Sequence, residues 1–516
     1  MELLRIPELQ ALEAREIARA GPRVLMQRAA QAVAQCATRL LRTLPLKAPR
    51  TDPLVVVCVG PGNNGGDALQ AGLLLLDCGY RVVVVDLFER QARPADAAAV
   101  WQAARCSEVL SWWTSEQMHA WVSQPNSCGL VLDGLFGIGL RRAIDGPCAA
   151  LITSLNARVG RGIQVLSVDL PSGLSADTGL PIEAGPVVRA DLTLTLLANK
   201  PGLYTGEASR WCGRVLLDSI GIDTDDFRLS RPPQAIGVLF DEGQACMLAP
   251  RRVGDAHKGR FGDLLVIQGA SSTQGAALLA LLGAQAVGAG RLYLGQDTLA
   301  PAPALHPEFM SRRIIPNDLG PAHAIVLGCG LGLDLRARSM VGAVLNLPLP
   351  CVLDADALNL IAQRDPAHPL PERVQTPSSG CVMTPHPLEA ARLLGCSVKE
   401  IQADRILSAQ RIAARHQCTV VLKGAGTVVA ELDGTWSINA SGGPLLSVAG
   451  TGDVLAGVIG GLLAQGMAAP QAARLGVWLH GAAADALSGQ PAWSAGIGLP
   501  ASRLAESIRE CVNRLT

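Results

Sequence analysis

The chain has 516 residues, its formal net charge at pH 7 is zero, and 49% of its residues are hydrophobic against 17% charged. This length exceeds what one hydrophobic core usually organises, so we predict two domains. The balanced charge excludes the basic surface with which proteins bind nucleic acid or anionic lipid. No uninterrupted apolar run reaches the roughly 20 residues of a membrane-spanning helix, which excludes a membrane protein of that kind.

The first residues, MELLRIPELQALEAREIARAG, predict a charged helical segment rather than a signal peptide, because they contain no apolar core. The 14 cysteines form no CxxC pair and no repeated spacing, which is typical of buried thiols in a reducing compartment. We therefore expect a cytoplasmic protein that acts on small molecules and has no nucleic-acid or membrane partner. We also expect it to form a homo-oligomer.

Residues 54–86 read as strand, glycine-rich loop, helix and strand, in LVVVCVGPGNNGGDALQAGLLLLDCGYRVVVVD. Strand-like runs follow in LVLDGLFGIG, IQVLSVDLPSG and LTLTLLANKPG, and each ends in a polar or glycine-rich turn. Continuous apolar strands that alternate with helices predict a parallel sheet covered on both faces. We predict a three-layer, Rossmann-like α/β domain over residues 1–228, with a linker at 227–234 in FRLSRPPQ.

The loop GPGNNG fits the GxGxxG pattern of dinucleotide-binding folds through Gly60, Gly62 and Gly65. Asp86 ends the next strand, where a carboxylate would bind the ribose while the helix N-terminus binds the pyrophosphate. A nicotinamide-dependent dehydrogenase is therefore one interpretation of this half, although a single motif of this kind is weak.

Polar side chains gather where the predicted strands end, and in an open parallel sheet these positions line the ligand crevice. They are Asn63, Asn64, Asp67, Asp133, Asp169, Ser172 and Lys200. Their carboxylate, amide and hydroxyl oxygens suit a hard cation such as K⁺, and Asp169 beside it could act as an acid or base. Ordinary turn chemistry is the alternative explanation for each residue taken singly.

The motifs GPGNNGGD, LDGLFGIGL, VDLPSGLSADTG and NKPGL resemble those of the NAD(P)H-hydrate epimerase family over residues 1–230. The resemblance implies that this half interconverts the R and S forms of NADH or NADPH that carry water across a nicotinamide-ring double bond. It implies K⁺ contacts from Asn64, Asp133 and Ser172, with Asp169 as the proton-transfer residue. It implies substrate contacts from Asn63, Asn64, Gly65, Gly66, Asp67, Gly137, Ile138, Gly139, Leu140, Arg141, Arg142, Ala143 and Asp169.

Three positions depart from the pattern of this family. Ala68 stands where glycine usually follows NNGGD, Ser175 replaces the Asp of SGLDADTG, and Gln27 replaces the usual Glu in VLMQRAAQA. None removes an implied ligand, but the altered loop predicts a change in epimerase efficiency. An N-terminal half that only binds a nucleotide or a partner protein is the alternative.

A second alternating series follows in DLLVIQGASS, AIVLGCGLG, CVLDADALNLI, CVMTPHPLEAARLLG and TVVLKGAG. TVVAELDGTWSIN carries an Asp-Gly pair between two strand-like runs, which predicts a hairpin. LSVAGTGDVLAGVIGGLLAQG and RLGVWLHGAAADAL predict late helices. We therefore predict a second three-layer α/β domain over residues 235–516.

Asp453 is the only charged residue between Asp433 and Arg474, and it follows Gly450 and Gly452 at a predicted helix start. Glycines before a helix let its free N–H groups approach a phosphate. A carboxylate there would repel that phosphate unless it deprotonates an attacking hydroxyl or organises Mg²⁺. An ordinary acidic helix start is the alternative. GxGD after a long α/β series resembles the ribokinase-like fold, in which this Asp is the catalytic base.

The ordered motifs HKGRFGDLLVIQGA, VLGCGLG, VLDADALNL, TPHPLEAARLLG, VVLKGAGTVVA and GTGDVLAG resemble the ADP/ATP-dependent NAD(P)H-hydrate dehydratase family across residues 250–490. The resemblance implies hydrate contacts from Ala276, Gly330, His386 and Asp453. It implies adenine-nucleotide contacts from Lys423, Gly424, Ala425, Gly426, Thr427 and Gly452. His386 as a helix cap, and Asp354 and Asp356 as turn residues or as water-mediated Mg²⁺ contacts, remain open alternatives.

Together the two halves resemble fused bacterial NAD(P)H-hydrate repair enzymes, which implies a K⁺-binding epimerase and a dehydratase that uses Mg²⁺ and ADP. In the implied reaction Asp453 deprotonates the ring hydroxyl of the S hydrate, which attacks the terminal phosphate of ADP. Expulsion of phosphate then restores NAD(P)H and leaves AMP. The alternative is a ribokinase-like kinase that releases a stable phosphorylated alcohol, with a nucleotide- or partner-binding N-terminal domain.

Overall fold

The computed structural model describes residues 1–21, 23–43, 53–124, 128–157, 162–223, 236–252, 254–269, 273–297, 306–371 and 380–516. The chain divides into two compact units, Glu2–Pro232 and Pro233–Thr516. The predicted linker at residues 227–234 lies outside the described residues.

The N-terminal unit alternates strands and helices as its sequence predicts. Its elements are β1 (Glu2–Leu3), α1 (Ile6–Ala20), α2 (Val24–Thr43), β2 (Leu54–Val59), α3 (Asn63–Asp77), β3 (Arg81–Asp86), α4 (Ala95–Arg105), β4 (Ser111–Trp113), α5 (Ser115–Ser123), β5 (Gly129–Gly134), α6 (Gly146–Asn156), β6 (Ile163–Val168), β7 (Leu192–Leu196), α7 (Ala208–Trp211) and β8 (Arg214–Asp218). Short 3-10 helices occupy Ile182–Ala184 and Pro201–Leu203.

The sheet of this unit has the strand order β4-β3-β2-β5-β6-β7-β8, and all its pairs are parallel. Side chains alternate between two cores: Val55 and Val57 pack with α2 and α3, whereas Val56 and Cys58 pack with α5 and α6. The order reverses between β2 and β5, so the loops after these strands open a crevice at the carboxyl edge. The predicted α/β fold is therefore confirmed for this half.

The C-terminal unit forms a longer α/β series. Its elements are β9 (Gly237–Phe240), α8 (Glu242–Leu248), β10 (Asp263–Ile267), α9 (Gln274–Ala286), β11 (Arg291–Gln296), β12 (Met310–Arg313), β13 (Ala324–Leu327), α10 (Leu335–Leu345), β14 (Cys351–Leu353), α11 (Ala355–Ala362), β15 (Cys381–Met383), α12 (Pro387–Leu394), α13 (Val398–Ala403), α14 (Arg405–His416), β16 (Thr419–Leu422), β17 (Val428–Ala430), β18 (Trp436–Asn439), α15 (Thr451–Ala464), α16 (Ala469–Ser488) and α17 (Ala501–Leu515).

Strands of this unit run in the order β9-β18-β17-β16-β15-β14-β13-β10-β11-β12. Pairing is parallel except at β17, which is antiparallel to both β16 and β18. The β17–β18 pair is the hairpin predicted around the Asp-Gly turn, and that prediction is confirmed. The central strands are buried along their whole length, as expected for a sheet covered on both faces.

Helix α15 is apolar on all sides because it is packed on all sides. It lies among β10, β13, α9 and α16, and nearly all of its residues are buried. A Cβ on Gly457 would lie 1.8 Å from the Ala280 carbonyl oxygen of α9, so glycine allows the two helix backbones to touch. Within the described ranges no helix has the length and apolar composition needed to cross a bilayer.

Candidate functional site

A cavity of about 1050 Å³ opens in the N-terminal unit at the β2–β5 crevice. Most of the residues implied by the epimerase resemblance line it, namely Asn63, Asn64, Asp67, Gly137, Ile138, Gly139, Leu140, Arg141, Arg142, Ala143 and Asp169. Gly65 and Gly66 do not. A Cβ on Gly65 would lie 2.2 Å from the Gly60 carbonyl oxygen, so this glycine serves the tight turn into α3.

Asp169 is held rigidly at the cavity wall by Lys200. The Lys200 Nζ donates to Asp169 Oδ1 at 2.5 Å, to Thr195 Oγ1 at 2.9 Å, and to the carbonyl oxygens of Leu196 and Ala198 at 3.0 and 3.1 Å. These acceptors use all the protons of an ammonium group, and Lys200 is only 1% exposed. Asp169 itself adopts a left-handed backbone with φ of 69°, a conformation typical of constrained sites.

Of the three implied K⁺ ligands, Asp133 and Ser172 contact each other. Ser172 Oγ donates to Asp133 Oδ1 at 2.6 Å, and Ser167 Oγ donates to Asp133 Oδ2 at 2.8 Å. Burial raises the pKa of Asp133, and the hydrogen bonds from Ser172 and Ser167 oppose that rise. The carboxylate thus already has partners within the protein.

Asn64 is the third implied ligand and differs from the other two. It is 9% exposed, and neither its Oδ1 nor its Nδ2 has a hydrogen-bond partner among the described residues. Buried polar atoms without partners are rare in folded proteins and call for a ligand or water. Asn64 lines the cavity, whereas Asp133 and Ser172 are not among its lining residues. An amide oxygen, a carboxylate and a hydroxyl are nevertheless donor types that hard cations accept. The residues present therefore fit K⁺.

Two further acids share this cavity. Burial raises the pKa of Asp67 well above its usual value, and Asp169 and Glu13 add to the rise. Glu13 of α1 also lines the cavity, and burial followed by the Asp169 charge raises its pKa, which Lys200 partly offsets. The sequence did not single out Glu13, because nothing distinguishes it from the other charged residues of α1.

Asp86 is not available to bind a ribose. Its carboxylate accepts from Arg93 Nη2 at 2.6 Å, from Trp101 Nε1 at 2.8 Å and from the Phe88 N–H at 2.8 Å. Arg93 also donates to the Gly60 carbonyl oxygen at 2.6 Å. Asp86 therefore stabilises the GPGNNG loop through Arg93. The dehydrogenase interpretation requires a carboxylate free to bind the ribose, and Asp86 is not free to do so.

In the C-terminal unit, Asp453 lies in the first turn of α15, which Gly450 precedes with φ of 91°. Burial raises the pKa of Asp453 to about 6, Asp354 and Asp356 add to the rise, and a hydrogen bond from Cys329 and the Lys423 charge oppose it. The carboxylate form therefore predominates at neutral pH, which a general base requires.

Lys423 and Asp354 stand beside that helix start. The Lys423 Nζ donates to Asp354 Oδ1 at 2.7 Å, and a Cβ on Gly452 would lie 3.5 Å from the same nitrogen. Burial lowers the pKa of Lys423, but Asp354 and Glu389 outweigh it and the net pKa is raised. The Lys423 side chain is 20% exposed, so its ammonium can also reach a ligand. Lys423, the lysine of the predicted KGAGT segment, thus lies close to Asp453, the predicted base.

His386 is the N-cap of α12. Its Nδ1 accepts from the N–H groups of Leu388 and Glu389 at 3.1 and 3.3 Å, so the ring proton is on Nε2, 3.3 Å from Glu389 Oε1. Burial lowers the pKa of His386 and Lys423 lowers it further, so the ring is neutral. The capping interpretation of this histidine is therefore seen directly, and the implied substrate contact stays a prediction.

The other implied residues lie around the same edge of the sheet. Thr273 Oγ1 donates to the Gly330 carbonyl oxygen at 2.7 Å, which ties Gly330 to the start of α9, where Ala276 is half-buried against the core. The loop from Gly424 to Thr427 is largely exposed, and Thr427 Oγ1 donates to the Gly424 carbonyl oxygen at 3.0 Å.

Cys329, Asp354 and Asp453 place one ligand atom each within 4.8 Å of one another. Burial raises the pKa of the Cys329 thiol well above its usual value, and the two carboxylates add to the rise. A protonated thiol does not suit Mg²⁺, which prefers oxygen and keeps several waters. The cluster therefore fits Mg²⁺ only as an ion held mainly by nucleotide phosphates.

Comparisons with known proteins find a related family for each of the two units. Residues 22–202 match the family model described as YjeF-related protein N-terminus, and residues 264–509 match the one described as NAD(P)H-hydrate dehydratase. The chain is 34% identical over 440 residues to the bifunctional NAD(P)H-hydrate repair enzyme of Coxiella burnetii, covering 84% of this chain and 85% of that enzyme. It is 36% identical over 469 residues to its Escherichia coli counterpart, covering 89% and 85%.

A solved structure is similar to the C-terminal unit. It is the ADP/ATP-dependent NAD(P)H-hydrate dehydratase from Bacillus subtilis co-crystallised with ATP/Mg²⁺, at 31% identity and a TM-score of 0.48. The likeness covers 54% of this chain and 99% of that one.

Proposed function

Since this chain belongs to the family of bifunctional NAD(P)H-hydrate repair enzymes, we propose that its two units divide the repair of hydrated NADH and NADPH between them. The chain carries NAD(P)H-hydrate epimerase and dehydratase activity. In our assignment the N-terminal unit interconverts the R and S hydrates. The C-terminal unit dehydrates the S hydrate to NAD(P)H with consumption of ADP, releasing AMP and phosphate.

The dehydratase assignment is supported by the convergence of Asp453, Lys423 and Asp354 at the start of α15. Asp453 takes the proton from the ring hydroxyl, whose oxygen then attacks the terminal phosphate of ADP. The free N–H groups of the first turn and the Lys423 ammonium bind the phosphate oxygens. The lone pair of the ring nitrogen then expels phosphate, which is a far better leaving group than hydroxide.

Mg²⁺ supplies charge neutralisation to the phosphates when it is bound. Asp354 and Asp356 would hold such an ion, and Asp356 already accepts from the Gly332 N–H at 2.9 Å. Lys423 donates to Asp354 Oδ1 at 2.7 Å and orients it. We infer water-mediated contacts from this pair rather than direct coordination.

The epimerase assignment is supported by the cavity that brings Asp169 and the unpartnered Asn64 together. Lys200 holds Asp169 in place through a 2.5 Å hydrogen bond, and the carboxyl group of Asp169 can exchange a proton with the ring hydroxyl. K⁺ would be held by Asn64, Asp133 and Ser172 and would supply a positive charge to the substrate. Arg141 and Arg142 at the cavity wall suit the phosphates of the nucleotide.

Two broader properties of the chain are also proposals. A cytoplasmic location is supported by the 14 cysteines, none of which is in a disulfide. A homo-oligomer is proposed from the family resemblance, and size-exclusion chromatography with light scattering measures it.

The test incubates the full chain with purified hydrates, K⁺, Mg²⁺ and ADP. Repair restores the near-ultraviolet absorbance of the dihydronicotinamide and releases AMP and phosphate in equal amounts. Starting from pure R hydrate, repair requires both activities, whereas the S hydrate requires only the dehydratase. A stable phosphorylated product without NAD(P)H would instead identify a kinase and refute the assignment.

A further inference from the structure

Glu13 extends from α1 into the cavity of the N-terminal unit and has no assigned role. It lines this cavity together with Asp67, Asp169 and Lys200. The hydrogen bonds and ion pairs of the described residues do not include its side chain. Lys200 does not donate a hydrogen bond to Glu13, because its ammonium protons are already donated to Asp169 and three other oxygens.

The two partly buried carboxyl groups of this cavity, those of Glu13 and Asp169, differ in their partners. Asp169 Oδ1 lies 2.5 Å from the Lys200 Nζ and accepts from it. Burial, and then the negative charge of Asp169, raises the pKa of Glu13, which favours its acid form. A lysine-paired carboxyl group beside one with a raised pKa is an arrangement that suits a general base and a general acid.

Asp67 is less suited to the same role. Burial raises its pKa well above the usual value, and both Asp169 and Glu13 add to the rise. Among the described residues no positive charge opposes the rise in pKa at Asp67, whereas the Lys200 charge partly opposes the rise at Glu13. Glu13 is therefore the better suited of the two to exchange a proton.

A ligand in this cavity is indicated by an observation that does not involve the acids. Asn64 lines the same space, is 9% exposed, and leaves both polar atoms of its amide without a partner among the described residues. The cavity is therefore built to receive polar atoms from outside the chain.

Resting on the proposed epimerase function, we propose that Glu13 is a second catalytic residue, which protonates the departing ring hydroxyl while Asp169 deprotonates the water that replaces it. The carbon–oxygen bond breaks as the Glu13 proton passes to the oxygen, and the ring-nitrogen lone pair forms a carbon–nitrogen double bond. Water then adds to the opposite face of that carbon and gives its proton to Asp169. Solvent returns the proton from Asp169 to Glu13.

The experiment compares the full-length wild type with Glu13→Gln and with the matched surface control Glu89→Gln, whose parent side chain is 59% exposed. Chromatography follows conversion of pure R hydrate to S hydrate without ADP. Loss of a general acid should slow Glu13→Gln by about 100-fold or more, while Glu89→Gln matches the wild type. Dehydration of pure S hydrate with ADP should be unchanged in every variant and reports that the C-terminal unit is folded, while circular dichroism and the unfolding midpoint of each variant report the N-terminal unit.

A second measurement uses the wild type alone, so it does not depend on how a variant folds. In heavy-oxygen water, each epimerisation should place one solvent oxygen on the ring carbon. Retention of the original oxygen through epimerisation overturns the proposal, and so does Glu13→Gln with wild-type rate. A wild type that fails to exceed the spontaneous rate overturns the proposed epimerase function instead, which separates the two failures.

Discussion

Each unit places a lysine–aspartate pair at the carboxyl edge of its sheet, and the two pairs differ in how many partners the lysine has. Lys200 contacts four oxygens, including Asp169, and is 1% exposed. Lys423 donates to Asp354 through a 2.7 Å hydrogen bond, and its side chain remains 20% exposed. The first lysine can only hold its aspartate, whereas the second has protons left for a ligand.

The difference shows that the same ion pair can serve two purposes, decided by the surrounding acceptors. Lys200 fixes the carboxylate of Asp169 and has no protons left for a ligand. Lys423 is held by Asp354, and we propose that its remaining protons bind phosphate. Variants of the two lysines should therefore differ in their effect on ligand binding.

The largest effect on activity should follow replacement of Asp453, the proposed base beside the Lys423–Asp354 pair. Asp453→Asn should lower the dehydratase rate by about 10²- to 10⁴-fold, because the ring hydroxyl loses its proton acceptor. NAD(P)H formation from S hydrate with ADP measures this rate. The control is Asp433→Asn in the β17–β18 turn, where the amide oxygen can still accept from the Thr435 N–H. An active Asp453→Asn enzyme would remove Asp453 from the mechanism.

Replacement of Lys200, whose ammonium protons are all used in hydrogen bonds, should lower both the stability of the protein and its epimerase activity. Lys200→Met leaves Asp169, whose side chain is 17% exposed, without its counter-charge, so the free energy of unfolding should fall by up to about 3–5 kcal/mol, and epimerisation should be lost. Chemical denaturation and R-to-S conversion measure the two effects. Lys399→Met on α13 is the control, since Lys399 is exposed. Full stability in Lys200→Met would contradict the clamping role.

Replacement of Lys423, which is partly exposed, should affect ADP binding as well as folding, because Asp354 is 2% exposed and loses its counter-charge. Lys423→Met should raise the KM for ADP by about tenfold or more, because a charge-assisted hydrogen bond is worth about 1.5–3 kcal/mol. Steady-state kinetics at saturating S hydrate measure it, with Lys399→Met again as the control. An unchanged KM for ADP would place the phosphates away from Lys423.

The pH dependence offers a further distinction between the units. Asp453 must be ionised to act, and burial raises its pKa to about 6. The dehydratase rate should therefore be level above that pH and fall about tenfold per pH unit well below it. Replacing Asp453 should abolish this acid limb. Kinetics across the acid range measure it, with circular dichroism at each pH as the folding control.

Much of this arrangement follows from the sequence because it depends on local patterns. The strand–loop–helix alternation, the Asp-Gly hairpin and the glycines before Asp453 all act through backbone geometry that neighbouring residues determine. The positions of Asn64, Asp169 and Lys423 at strand ends follow from the parallel sheet itself. These features were predicted without knowledge of any contact.

What the sequence did not reveal depends on contacts between distant segments. Cys329 and Asp453 are far apart in the chain, and only the packing of α15 against the β13 end brings the thiol to the carboxylate. Glu13 likewise reaches the cavity only because α1 lies against it. The partners of Asp86 could not be predicted either, because no sequence pattern marks Arg93 and Trp101 as hydrogen-bond donors to it.

The smallest effect concerns Ala68, the departure from the epimerase pattern. Its methyl group is buried against β5, 2.3 Å from where a Gly134 Cβ would lie, and it does not line the cavity. Ala68→Gly should thus leave the epimerisation rate unchanged while lowering the free energy of unfolding by about 1 kcal/mol, since glycine loosens a helix interior. Ala71→Gly, equally buried in α3, should lose a similar amount. Faster epimerisation in Ala68→Gly alone would show that this methyl group constrains the NNGGD loop after all.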